Sequence, residues 1–416
     1  MSGGWKCTAT TPSVLIKKSA YPDKALKTIL RRLFLFLTTL CAFSLSSPTL
    51  AQDLGWAFTI AWSPDGDTLA IGSSSGLWFF DDTLNEVGFV AIPQFKGFAP
   101  TTMDWSADGS LIALANRVFP HSSPSGRVRG DDFPILIVDA VKREVSNVIH
   151  FPRPSAPIEW HPRDRRILVG HSGGRATILN AITGEAEYSF YAKTATAVCW
   201  ADESTIAIIG WSDISVVDIL RNRVTHRIEP GRHFSGVVEM PASCDRSGRA
   251  LHGYAYSFDL LAGTRERIYS LDNTITLSDY WYEEWHGVAI AYSPDGKKIA
   301  TNGNSGRCRI AVFNGESHNL ITELQGSYVQ GNDDQFRDSI AWHPAGEKLA
   351  IVGQFDIRIW DAETYELLQR FEGFNTGHYD PQQKEVEEGD SESLFQKRLR
   401  LIRCPDIPDS MLFKQQ

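Results

Sequence analysis

Ser339 to Phe371 reads S-I-A-W-H-P-A-G-E-K-L-A-I-V-G-Q-F-D-I-R-I-W-D-A-E-T-Y-E-L-L-Q-R-F. It resolves into four short strands. Ile340 to Trp342 is the first, closed by a turn at His343-Pro344-Ala345-Gly346. Leu349 to Val352 is the second, Ile357 to Trp360 the third, and Leu367 to Phe371 the fourth, after a turn at Asp361-Ala362-Glu363-Thr364. Pro presets φ for a turn and Gly tolerates φ > 0. Runs of Ile, Val, Leu and Trp suit a pleated, buried surface. A single sheet of this kind cannot bury both faces, so it requires copies of itself on either side.

Two independent marks locate the copies. The first is an aromatic residue followed by a polar turn: Trp62-Ser63-Pro64-Asp65-Gly66, Trp105-Ser106-Ala107-Asp108-Gly109, Trp160-His161-Pro162-Arg163-Asp164, Trp200-Ala201-Asp202-Glu203, Tyr292-Ser293-Pro294-Asp295-Gly296 and Trp342-His343-Pro344-Ala345-Gly346. Their steps are 43, 55, 40, 92 and 50 residues, so one copy has lost its mark. The second is an apolar residue before Asp or Asn at the end of the third strand: Phe80-Asp81, Val138-Asp139, Leu179-Asn180, Val217-Asp218, Phe258-Asp259, Phe313-Asn314 and Trp360-Asp361. Seven marks at this period predict an all-β fold, a seven-bladed β-propeller of four-stranded antiparallel blades. Blade 5 is degenerate: its turn is Cys244-Asp245-Arg246-Ser247-Gly248, with no aromatic before it, and Gly248 lies too close to Asp259 for full-length strands.

W-S-P-D-G-x-x-L-A followed by I-W-D resembles the WD40-repeat β-propellers, over about Phe58 to Gly373. Only Trp360-Asp361 is a literal Trp-Asp pair, and the Gly-His pair usual before the first strand is missing from most repeats. The first motif also occurs in periplasmic propellers of the TolB type. Those lack Ile-Trp-Asp-x-x-Thr, so the WD40 resemblance ranks first. It implies a propeller that works as an interaction scaffold.

Residues 1–51 stand apart from the repeats. Lys24, Lys27, Arg31 and Arg32 precede an apolar run from Leu33 to Leu45, and Ser46-Ser47-Pro48-Thr49-Leu50-Ala51 follows. A basic region, a short apolar core and small residues before a cut predict a signal peptide cleaved after Ala51, with an extended n-region and a start as far downstream as Val14. The apolar run is short for a bilayer span, and a signal anchor is the competing reading. Cleavage takes the formal charge from −9 to −15. Such acidity argues against nucleic acid and against anionic membrane surfaces. The expected product is periplasmic or extracellular, monomeric or part of a complex, with no membrane span after cleavage. Its domains are the propeller, 52–373, and a charged tail, 374–416, whose Asp380–Glu392 stretch holds six acids and one Lys. The sequence leaves that tail open as an added strand, a short helix or an extended arm.

In a propeller, the links between blades and the loops joining second to third strands share one face. The long segments all fall there: Pro93–Thr102, Arg117–Asp132, Leu271–Gly287 and Gln325–Asp338. Long loops on a rigid scaffold are where function concentrates. One of them carries Asp279-Tyr280-Trp281-Tyr282-Glu283-Glu284-Trp285-His286. Tyr280, Trp281, Tyr282 and Trp285 are the candidate binding residues, because aromatics bury much area at low entropic cost. The bland reading is that they plug the seam beside the clipped blade 5 or extend its outer strand. Arg129-Gly130-Asp131 is an adhesion tripeptide, a sequence common by chance. Gly170-His171-Ser172-Gly173-Gly174 matches the nucleophile elbow of α/β-hydrolases, but that elbow needs a following helix, and a strand follows here. It reads as a hairpin turn.

No catalytic residue, metal site or cofactor is expected: there is no phosphate loop, no C-x-x-C and no spaced set of His ligands. His161 and His343 occupy turn positions. Of the four cysteines after Ala51, Cys199 and Cys244 point toward one face of neighbouring blades; free buried thiols are the default and a bridge stays open. The leading expectation is a non-enzymatic scaffold for a protein or peptide. The alternative is a propeller enzyme or saccharide binder that uses Tyr280, Trp281 and Trp285 as a stacking platform with Asp279, Glu283 and Glu284.

Overall fold

The computed structural model describes residues 54–372 apart from 56, 93–99, 117–133, 152–153, 172–173, 193–194, 196, 211–212, 230–241, 245–247, 253–255, 268–288, 303–308, 326–338 and 353–355. The expected signal peptide, Tyr280, Trp281, Tyr282, Trp285, the Arg129-Gly130-Asp131 tripeptide and the charged tail lie outside the described residues.

Seven four-stranded antiparallel sheets follow one another along the chain. Blade 1 is β1 (Ala57–Trp62), β2 (Thr68–Ser73), β3 (Gly76–Asp81) and β4 (Glu86–Ala91). Blade 2 is β5 (Thr102–Trp105), β6 (Leu111–Ala115), β7 (Ile135–Asp139) and β8 (Glu144–Ile149). Blade 3 is β9 (Pro154–Trp160), β10 (Arg166–His171), β11 (Arg175–Asn180) and β12 (Ala186–Tyr191). Blade 4 is β13 (Ala197–Trp200), β14 (Thr205–Ile209), β15 (Ile214–Asp218) and β16 (Arg223–Ile228). Blade 5 is β17 (Ala242–Cys244), β18 (Arg249–His252), β19 (Tyr256–Asp259) and β20 (Thr264–Arg267). Blade 6 is β21 (Ile290–Tyr292), β22 (Lys298–Asn302), β23 (Arg309–Asn314) and β24 (Leu320–Gln325). Blade 7 is β25 (Ile340–Trp342), β26 (Lys348–Val352), β27 (Asp356–Asp361) and β28 (Leu367–Glu372). The expected period and phase hold throughout, and blade 5 is the clipped one, with strands of three and four residues.

The second and third strands are buried along nearly their whole length, as sheets covered on both faces require. Fourth strands are wet on one side, as β4 and β16 show. First strands pack beside one another around the ring, and β25 packs against β1 to close it. No strand is exchanged at closure: blades 1 and 7 are each built from four consecutive strands. Apolar side chains do the sealing there, with Ile60, Ile71, Trp78 and Phe80 meeting Val352, Ile357 and Ile359. Shared apolar clusters cross every seam but one; among the described residues none joins blades 5 and 6.

Polar straps repeat on top of this packing. The tryptophan that ends a first strand donates its indole N–H to a carbonyl of the previous blade, on the residue just before that blade's own aromatic. Trp105 reaches Ala61 O at 3.3 Å, Trp160 reaches Asp104 O at 3.0 Å, Trp200 reaches Glu159 O at 3.4 Å and Trp342 reaches Ala291 O at 3.0 Å. Asp104 and Glu159 add their carboxylates, which accept the backbone N–H of Trp160 and Trp200 at 2.7 and 3.1 Å. Between blades 4 and 5 the same two positions hold Cys199 and Cys244, and these are joined in a disulfide with Cα atoms 6.3 Å apart. The default expectation of free thiols is corrected for this pair: the two cysteines face each other across a seam where an indole strap would otherwise sit.

The turn after the first strand follows one design in blades 1, 2 and 6. Ser63, Ser106 and Ser293 each donate to the Asp two residues on, and accept a backbone N–H from the start of the second strand. His161 and His343 replace that serine in blades 3 and 7. Their Nδ1 accepts the turn's own N–H groups, which leaves the proton on Nε2. Nε2 then bonds to the next blade, His161 to Glu203 O at 2.9 Å and His343 to Gly66 O at 3.2 Å. Each ring also stands edge-on to the next blade's tryptophan, Trp200 or Trp62. The expected turn chemistry is present, with a strap between blades added to it.

Candidate functional site

Two faces result from this topology. One carries the turns after first and third strands; the other carries the loops between second and third strands and the links between blades. Tyr280, Trp281, Tyr282 and Trp285 belong by sequence to a link of the second face and lie outside the described residues, as do most of the long insertions. What the structure describes there is the rim on which those segments are mounted.

The rim repeats one slot with different chemistry. On the third strands, Trp78, Thr177, Ser215 and Arg358 are equivalent, opposite Ile71, Val169, Ile208 and Ile351. In blade 1 the Trp78 indole donates to Ser73 and Ser75, at 3.1 and 3.0 Å, and Ser75 donates to Leu54 O at 2.8 Å. In blade 3 the buried His171 meets Thr177 Oγ1 at 3.0 Å, Thr177 meets Ser189 at 3.1 Å, and Phe151 lies 4.2 Å from the His171 ring. In blade 4 Ser215 donates to Asp213 at 3.4 Å. In blade 7 the buried Asp356 carboxylate accepts from Arg358 Nε at 2.9 Å and Arg370 Nε at 2.7 Å, and Arg358 donates to Gln325 O of blade 6 at 3.2 Å. Buried charges need such pairing to be tolerated. These networks clamp the bases of the loops.

The Gly170-His171-Ser172-Gly173-Gly174 stretch spans the β10–β11 hairpin, with His171 paired to Arg175, so the strand–helix elbow is not formed. Among the described residues no three His, Cys, Asp or Glu side chains gather to hold a metal ion. The carboxylates of the opposite face are held ionised for structural reasons. Hydrogen bonds from Ser106 and Ser110 pull Asp108 down to about 2, and those from Asn85 and Thr83 pull Asp81 down to about 2. Asp65, Asp139, Asp218, Asp295 and Asp361 also move down, each through side-chain or backbone N–H and O–H donors of its own turn.

Sequence reasoning located the faces but missed the rim slot and the seam straps. The histidine-for-serine exchange in W-H-P was the available signal for the straps at His161 and His343. Asp356 and Arg358 announced themselves only as two charges at the edge of an apolar strand.

No protein-family model matches the chain, and no curated protein matches it. Solved structures do. The hydrazine synthase of Kuenenia stuttgartiensis is similar at 16% identity and a TM-score of 0.54, covering 77% of this chain and 99% of that one. The β-propeller domain of Myceliophteria thermophila Cps50 (Swd1) is similar at 13% identity and a TM-score of 0.53, covering 72% of this chain and 93% of that one. At such identities the likeness concerns the fold. The protein is a seven-bladed β-propeller.

Proposed function

We propose that the chain is an exported, non-enzymatic WD40-like propeller that acts as a binding scaffold for a protein or peptide, through the face carrying the long insertions. The observation that carries this reading is the division of labour between the faces. Turns after first and third strands are short and hydrogen-bonded internally, whereas by sequence the long, aromatic- and charge-rich segments fall in the connections that belong to the other face. A rigid frame with variable loops on one side is the arrangement that recognition requires. Export is supported by the leader-like residues 1–51 and by the Cys199–Cys244 disulfide, a bond that persists in oxidising compartments.

The test is an affinity capture from envelope extract with purified protein from Gln52 onward, against a Trp281→Ala/Trp285→Ala control of unchanged circular dichroism. A defined protein retained by the first and lost by the second supports the scaffold and its working face. Equal capture by both, or none, overturns it, and retention of a glycan in a parallel screen favours the saccharide-binding alternative.

A further inference from the structure

Four consecutive blades present an aliphatic side chain to solvent at one equivalent position, on the face opposite the long insertions. Val141, Ile182, Leu220 and Leu261 are 80%, 51%, 78% and 45% exposed. Each is the second residue after the Asp or Asn that ends a third strand. Turn tips ordinarily take polar residues, and a single exposed aliphatic needs no explanation. Recurrence in register over blades 2 to 5 sets one exposed aliphatic tip per blade in an arc along one face, a repeated apolar foothold of the kind a contact site uses.

The arc is built on fixed ground. The residue before each tip donates its N–H to the blade's own first turn: Ala140 to Ser110 O, Ala181 to Arg165 O, Ile219 to Ser204 O and Leu260 to Gly248 O. The preceding blade holds two of these turns from the side. Asn147 donates to Ala181 O and Ile182 O at 3.1 and 2.9 Å, and Arg143 lies 5.2 Å over the Phe79 ring. Contacts offered by such turns cost little ordering entropy on binding.

Charge divides the same face. Beside the arc, Lys142, Arg163 and Arg221 are matched by Asp139, Glu203 and Asp218. In blades 6, 7 and 1 the tip position holds Glu316, Glu363 and Thr83 instead, with Glu347 and Glu366 exposed nearby. An apolar, locally neutral arc therefore continues into an acidic half. Anionic lipid would be repelled by that half, whereas a protein surface with an apolar strip bordered by Lys and Arg is complementary to both. We infer that this face docks a basic amphipathic protein segment, independently of whatever the long loops bind.

The experiment uses the full protein and two labelled helical peptides with the same leucine face, one flanked by Lys and one by Glu, read by fluorescence anisotropy. The Lys peptide binds, the Glu peptide does not, and Val141→Ser/Leu220→Ser weakens the Lys peptide by about tenfold or more through lost apolar contact. Glu316→Gln/Glu363→Gln weakens it too and flattens its salt dependence. If either pair of substitutions disturbs the circular dichroism, Val141→Thr/Leu220→Gln and Glu316→Ser/Glu363→Ser take their places. Four results overturn the inference: no binding of the Lys peptide; binding unaffected by the apolar substitutions; a wild-type dimer in sedimentation that Val141→Ser/Leu220→Ser dissolves, which makes a second copy the occupant; or anionic vesicles that bind wild type and not that variant.

Discussion

Cys244 ends β17 at the position where Trp105, Trp160, Trp200 and Trp342 end theirs, and it is bonded to Cys199, the equivalent of the residues whose carbonyls receive those indoles. The thinnest blade, which offers no tryptophan, is thus tied to its neighbour covalently. Cys199 sits within the apolar cluster that joins blade 4 to Ala250, Phe258 and Leu260, and the bond holds that small cluster shut.

Cys199→Ala/Cys244→Ala is therefore expected to be less stable by about 3–4 kcal/mol, the chain-entropy value for a loop of this size, the separation being 45 residues. Urea unfolding of wild type with and without reductant checks this. Cys199→Ala/Cys244→Trp is expected to recover part of the loss, since it restores the indole donor. A variant no better than the double alanine would refute the equivalence of the two straps.

Two glycines with nearly the same backbone separate the cost of a left-handed conformation from the cost of the closing seam. Gly66 and Gly346 have φ of +82° and +77°. A Cβ on Gly346 meets nothing within 4 Å, whereas one on Gly66 strikes the His343 ring. Gly346→Ala is expected to cost about 1–2 kcal/mol, the left-handed penalty alone. Gly66→Ala should cost clearly more and speed hydrogen exchange in β1 and β25. Equal losses by thermal denaturation would show that His343 does not secure the ring.

Asp356→Ala strands Arg358, which is buried with its Nε turned to the lost carboxylate. Breaking a buried pair by removing one partner costs about 3–5 kcal/mol. Arg358→Met together with Asp356→Leu, which removes both charges, is expected to be far milder. The pair is measured by denaturant midpoint, and a milder single than double substitution would contradict the assignment.

Stability should fall in two steps on acidification. Burial lowers the His318 pKa below its usual value, so the unfolded chain takes up that proton first and the contribution is lost as pH drops below about 6.5. The turn carboxylates, with Asp81 and Asp108 down to about 2, contribute above the ordinary Asp value and lose it as pH falls from about 4 toward 2. Midpoints of urea unfolding followed against pH should show both limbs. His318→Gln should remove the upper one and Asp108→Asn should shrink the lower. An upper limb unchanged in His318→Gln would assign it elsewhere.

The blade count, the strand phase and the tight first turns were legible because they are local. Trp62-Ser63-Pro64-Asp65-Gly66 contains its own hydrogen-bond partners, and Leu69 to Ser73 carries its own burial pattern. The turns after third strands were less legible. All seven need a residue with φ > 0, yet only Gly184 and Gly263 advertise it; Leu84, Arg143, Asn222, His318 and Tyr365 are held there by the hairpin. The aromatic segment at 280–285 was found from composition alone, and nothing in its local pattern states what it packs on.

By itself the sequence determined that this protein is a seven-bladed propeller with a clipped fifth blade, because repetition of strand and turn signals needs no knowledge of distant residues. Only the tertiary structure decided how the blades are joined. The bond from His343 to Gly66 O spans 277 residues, and the Cys199–Cys244 bridge links two blades. Such partners meet through the register of one sheet against the next, which is set by the packing of whole blades and has no counterpart in the local order of residues.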